Sequence, residues 1–150
     1  MIETFKHGDL NAEERLYCLI GGWIVSEDVI DKIGMPVTAR SGDLWWVAFD
    51  AKWQPSGFAQ MRIQESGSAH IRYLFVVDGD TSQARSRLLM AIIATAKKNR
   101  KIHTVYTNDR ETETFWARHK FKKIPHKRGV FCRFELTMEH DSENSEKPSV

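Results

Sequence analysis

His70-Ile71-Arg72-Tyr73-Leu74-Phe75-Val76-Val77 runs directly into Asp78-Gly79-Asp80-Thr81-Ser82-Gln83-Ala84-Arg85-Ser86, and this junction decides the fold. Ile71, Tyr73, Phe75 and Val77 fall on one face of an extended segment, with Arg72, Leu74 and Val76 on the other. Two largely apolar faces predict a strand in the interior of a sheet. Beyond the polar turn, Leu88, Leu89, Ile92, Ile93 and Ala96 recur at helical spacing and end in the cations Lys97, Lys98, Arg100 and Lys101. A strand that feeds a helix start presents backbone N–H groups with no intrahelical acceptor, which is a ready cradle for a phosphate.

Working outward, Ile2 to Lys6 reads as a short strand, and Asp9 or Asn11 caps a helix through Leu16, Leu19 and Ile20 that Gly21-Gly22 punctuates. Ser26-Glu27-Asp28 opens a second helix carrying Val29, Ile30 and Ile33, stopped by Gly34 and Pro36. Leu44 to Phe49 and Phe58 to Ile63 form a hairpin around the turn from Asp50 to Gly57. Downstream lie a strand from Lys101 to Thr107, a short helix from Glu111 to His119, a strand from Phe121 to Ile124 and a turn from Pro125 to Gly129. A final strand has Val130, Cys132, Phe134 and Leu136 on its buried face. This order predicts an α/β fold, a mixed twisted sheet of six to seven strands with helices on both faces. One domain is expected over 1–138, followed by an acidic, disordered tail at 139–150.

With 41% hydrophobic and 28% charged residues in 150, the composition is that of an ordinary globular domain. No apolar run reaches the ~18 residues of a membrane span, and the first residues lack a signal-peptide pattern, so a cytoplasmic location is expected. Cys18 and Cys132 have no CxxC spacing and no neighbouring histidines, and both are read as reduced, packed thiols without a metal. The net charge of +2 hides a bias: residues 97–128 hold eleven Lys or Arg against three acidic residues, a net +8. That stretch suits a solvated surface, a phosphate-bearing cofactor or a polyanionic partner, nucleic acid included. Trp45-Trp46 and Trp53 flank the hairpin, where strand alternation turns one of each alternating pair away from the core, either to be covered by the N-terminal helices or to stack on a base or acyl acceptor.

Two patterns give a family resemblance. Leu74-Phe75-Val76 followed by Thr81-Ser82-Gln83-Ala84-Arg85-Ser86, and Asn108 followed by Phe115-Trp116-Ala117-Arg118-His119-Lys120-Phe121, resemble the cofactor loop and the Asn…Phe-Tyr-x-x-x-Gly-Phe mark of the GCN5-related N-acetyltransferases (GNAT). The resemblance spans roughly residues 43 to 137. It implies a GNAT-like fold and transfer of an acetyl or related acyl group from acyl-CoA to an amine acceptor: a small molecule, a protein or a nucleobase. It further implies a cofactor site formed by Phe75, Val76, Thr81, Ser82, Gln83, Ala84, Arg85, Ser86, Arg87, Asn108 and Phe115, with no metal.

By position in that family, the Val76 amide is the oxyanion donor, and Trp116 stands where a tyrosine often protonates the leaving thiolate. An indole has no proton to release at neutral pH. Tyr106 is the alternative acid, and His70, Glu65 and Glu111 are candidate bases. Ala84 and Ser86 replace both loop glycines and are poorer at φ > 0. Thr81 replaces the leading Gln or Arg, and Asp78 and Asp80 bring negative charge that Arg85 and Arg87 offset. These departures leave a second reading open, a catalytically degenerate relative that binds a partner. A third is a nucleic-acid-binding or nucleic-acid-modifying relative acting through residues 97–128.

Overall fold

A computed structural model describes residues 1–77, 83–124 and 129–140 of the chain. Its elements are β1 (Ile2–Lys6), α1 (Leu10–Ile24), α2 (Glu27–Ile33), β2 (Leu44–Phe49), β3 (Pro55–Ile63), β4 (Ser68–Val76), α3 (Ala84–Lys98), β5 (Thr104–Arg110), α4 (Phe115–Arg118), β6 (Lys122–Ile124) and β7 (Phe131–Thr137). The strands form a mixed sheet in the order β1-β2-β3-β4-β5-β7-β6, with helices on both faces. β4 and β5 pair in parallel, Ser68 with Thr104 through His70 with Tyr106, and α3 is the crossover between them. The pairs β1–β2, β2–β3, β5–β7 and β6–β7 are antiparallel.

The chain divides into two compact units: Met1–Arg62 with Arg72–Ile92, and Ile63–Ile71 with Ile93–Val150. In the first, Phe5, Trp45, Val47, Phe58, Tyr73 and Phe75 alternate along their strands to make one apolar sheet face, which Leu16 and Ile20 of α1 and Val29 of α2 cover. Asp9 is the cap of α1, accepting from the Asn11 and Ala12 amides. Gly21-Gly22 does not end α1, which continues to Ile24. The ~1 kcal/mol that each internal glycine costs is offset by the packing of Leu16, Ile20 and Trp23. Ser26 caps α2, and Gly34 ends it at φ 93°. Both Trp45 and Trp46 are buried because β2 is covered on both faces, and Trp53 is the tryptophan that faces solvent.

In the second unit, two boundaries move from their sequence-based positions. The Asn99–Ile102 turn holds the chain before β5, so the strand starts at Thr104 and places Asn108 within the strand rather than beyond it. The helix expected from Glu111 shrinks to Phe115–Arg118, since Glu113 folds back to accept from the Thr114 and Phe115 amides and so fixes the helix start. His140 at the chain's last described position stands between two carbonyls, Nδ1 at 3.0 Å from Lys97 and Nε2 at 2.9 Å from Ile102. Residues 141–150 of the expected tail lie outside the described residues.

Candidate functional site

In the first unit the relevant geometry is the end of β4 and the start of α3. Phe75 is buried against Trp23 and Phe58, with ring centroids 5.4 and 5.7 Å away, which anchors the strand from one side. The Val77 amide donates to the Ser56 carbonyl (2.9 Å), and Val76 is half-buried between these anchors. Gly57 lies against this segment so closely that no larger residue fits without moving the Phe75–Val76 backbone.

Thr81 and Ser82 lie outside the described residues, together with Asp78 and Asp80. Gln83 stands immediately before α3 at φ 64°, and its carbonyl accepts from the Arg87 amide (3.0 Å), the first helical bond. The left-handed turn therefore falls on Gln83. Ala84 and Ser86, at the positions of the family's glycines, are helical residues and need no positive φ. Ala84 is buried, which explains a small side chain there. The amides of Ala84, Arg85 and Ser86 are those a helix start leaves without an intrahelical acceptor. The first turn carries Arg85 and Arg87 and no acidic residue, so its own charges do not complement the helix dipole.

In the second unit, Tyr106 is flanked on β5 by His70 from β4 and Arg133 from β7. The imidazole stacks at 4.5 Å with a 9° interplanar angle, and the guanidinium carbon lies 3.8 Å from the ring centroid. Gln64 Nε2 donates to the Tyr106 hydroxyl (2.9 Å), and Arg133 is held in turn by Glu135 (2.5 Å). Asn108 is exposed and pairs in register with Arg133. Trp116 and Phe115 are buried, the indole in edge contact with Phe115 and Phe121. Trp116 Nε1–H donates to Asp109 Oδ2 (2.8 Å). Lys120 takes the family's glycine position at φ 71°. Its amide donates to Ala117 and that of Phe121 to Trp116, the paired bonds of a Schellman helix end.

Glu65 lies on the β3–β4 turn beside a 540 Å³ cavity that it lines with Gln64, Lys101 and His103. The exposed Glu111 is held through its main chain, the amide donating to Val130 and the carbonyl accepting from Lys123. Among the described residues no three His, Cys, Asp or Glu side chains converge as a metal site. No helix among them is long and apolar enough to cross a membrane.

Solved structures share this arrangement of strands and helices over nearly the whole chain. A GNAT-family acetyltransferase from Staphylococcus aureus aligns with a TM-score of 0.63 over 93% of this chain and 100% of its own, at 13% identity. The chain has the GNAT fold. An acyl-CoA N-acyltransferase from Pseudomonas aeruginosa aligns at 0.64 and 13% identity, over 90% of this chain and 97% of its own. An aminoglycoside 6'-acetyltransferase type Ii aligns at 0.60 and 16% identity, covering 91% and 96%. Neither a protein-family profile nor a curated protein matches the sequence. At these identities the likeness establishes the GNAT fold, and the chemistry has to be argued from this chain's own residues.

Proposed function

We propose that residues 1–138 act as one acyl-CoA-dependent N-acyltransferase domain, moving an acetyl or related acyl group to an amine. The observation that carries this reading is the start of α3. Its amides and two arginines, with no acidic residue in the first turn, follow the strand end that the GNAT fold uses for its acyl donor. Arg85 and Arg87, with the amides of Ala84 to Ser86, would hold the diphosphate of CoA.

The acyl-CoA supplies a thioester whose carbonyl carbon is the electrophile. An amine in its neutral form attacks that carbon, and the carbonyl π electrons move to oxygen. The Val76 amide, on a strand end held by Phe75, Ser56 and Gly57, is the proposed donor to the developing oxyanion. The attacking nitrogen gives up its extra proton to solvent, and collapse breaks the C–S bond to expel the CoA thiolate, a leaving group good enough to depart with solvent as its own proton source. Loss of a general acid costs roughly 10²-fold without abolishing transfer. Trp116 then serves as a core residue bonded to Asp109. Thr81, Ser82 and Gln83 remain proposed contacts to the phosphates of the acyl donor.

Isothermal titration with acetyl-CoA tests the reading. Micromolar to millimolar binding is expected, weakened by Arg85→Glu/Arg87→Glu, together with thiol release in the presence of an amine panel. No binding at millimolar acetyl-CoA would remove it. One observation favours a second reading, an acyl-CoA binder without turnover: the indole N–H of Trp116, at the position of the family's usual acid, is committed to Asp109. Binding without thiol release across the panel would select that reading.

A further inference from the structure

The basic stretch that reads as one polyanion site along the sequence is divided in the folded chain. Arg110 and Lys122 lie on one face of the β5–β7–β6 sheet, in register with Phe131 and Glu135. Lys123 lies on the other face, in register with Phe134, and its ammonium donates to the Glu111 carbonyl. Lys97 and Lys120, twenty-three positions apart in the numbering, instead meet at one cavity of about 490 Å³. That volume falls in the range of small-molecule sites, roughly 300–1,000 Å³.

Ile93 and Lys97 stand one turn apart on α3 and so share a helix face. The end of β7 closes the cavity with Leu136, Thr137 and Met138, which gives an apolar floor and one hydroxyl. His119 and Glu139 complete the lining, and Glu139 is its single carboxylate. His140 meets the Lys97 carbonyl, tying the end of α3 to the chain beyond β7. Among the described residues no carboxylate forms an ion pair with Lys97 or Lys120.

The backbone adds an independent indication. Lys120 sits at φ 71°, in the left-handed position of a Schellman end where glycine is the inexpensive residue. A lysine there keeps a cation at the cavity at a conformational cost, relative to glycine, of roughly 1 kcal/mol.

We propose that this cavity binds a small organic anion with an apolar body, its acid group between the Lys97 and Lys120 ammonium groups and its hydrocarbon part against Ile93, Leu136 and Met138. The site lies at the C-terminal end of α3 and is independent of the acyl-CoA reading, which concerns the N-terminal end.

The test is a methyl-detected NMR titration of the full chain with octanoate, run against octan-1-ol as the same chain without the acid. Octanoate is expected to shift the methyl signals of Ile93, Leu136 and Met138, and octan-1-ol to bind more weakly. Lys97→Gln combined with Lys120→Gly should weaken octanoate about tenfold or more, the loss of two charge-assisted contacts. The glycine retains the helix end, so the double variant changes charge without unfolding it. Equal octanoate binding by the double variant, equal affinity for the alcohol, or no movement of these methyls at millimolar octanoate would overturn the proposal.

Discussion

A Cβ added to Gly57 would stand 2.5 Å from the Phe75 carbonyl oxygen and 2.8 Å from Val76 Cγ1. Glycine at 57 is therefore what lets β3 approach the end of β4, and it sets where the Val76 amide sits. Backbone cannot yield as a flexible side chain does, so Gly57→Ala must displace the Phe75–Val76 segment. The expected cost is about 1–3 kcal/mol in urea denaturation. If the Val76 amide serves the reaction, kcat falls further than the affinity for acetyl-CoA. An alanine variant of unchanged stability would show that the strand relaxes freely.

Trp116→Phe preserves an aromatic ring against Phe115 and Phe121 but removes the donor to Asp109 Oδ2. Loss of a hydrogen bond to a charged acceptor should cost about 1.5–3 kcal/mol. Acyl transfer at temperatures well below the new Tm should be unchanged, because the indole is not a proton source. A large fall in kcat with intact stability would instead assign Trp116 to the chemistry.

Lys120→Gly relieves the left-handed conformation at the end of α4. After deduction of glycine's larger unfolded-chain entropy, stability should rise by up to about 1 kcal/mol. For a chain of this size that is about 2–4 °C in Tm. Calorimetry of the single variant reads this directly, and a fall in Tm would mean that the side chain contributes more than its backbone costs.

Glu3 on β1 and Arg15 on α1 form a two-pronged pair, Arg15 Nε and Nη2 donating to the two carboxylate oxygens at 2.6 and 2.7 Å. The hydrogen bonding from Arg15 holds the Glu3 carboxyl below its ordinary range. A depressed folded-state value contributes stability that is fully present above the unfolded value and is lost as pH falls through the folded one. Acid titration of stability below about pH 4.5 should therefore flatten in Arg15→Ala relative to the unsubstituted chain. High salt should weaken the effect, since the pair is partly exposed.

Cys18 is exposed on α1, whereas Cys132 is buried in β7, where burial pushes its thiol pKa up. A thiol reagent at neutral pH should label Cys18 alone in the native chain and both after denaturation. Equal native labelling would contradict the burial of β7.

The amino-acid sequence by itself determined the order of the seven strands and four helices found among the described residues, because the period-two pattern of β4, the period-3.6 pattern of α3 and the caps Asp9 and Ser26 are local properties of consecutive residues. It also pointed to the strand-to-helix junction around residues 74–87, where a helix start and two arginines are legible without any partner. What it misplaced was equally physical. Gly21-Gly22 reads as a break, yet the helix passes through it because burial of Leu16 and Ile20 outweighs local propensity.

Only the tertiary structure decided the placement of β7 between β5 and β6, the covering of both Trp45 and Trp46, and the commitment of Trp116 to Asp109. It alone moved the left-handed turn from the lost glycines to Gln83 and brought Lys97 to the same cavity as Lys120. Each depends on which distant segment approaches, and that is set by long-range packing rather than by neighbours in the chain.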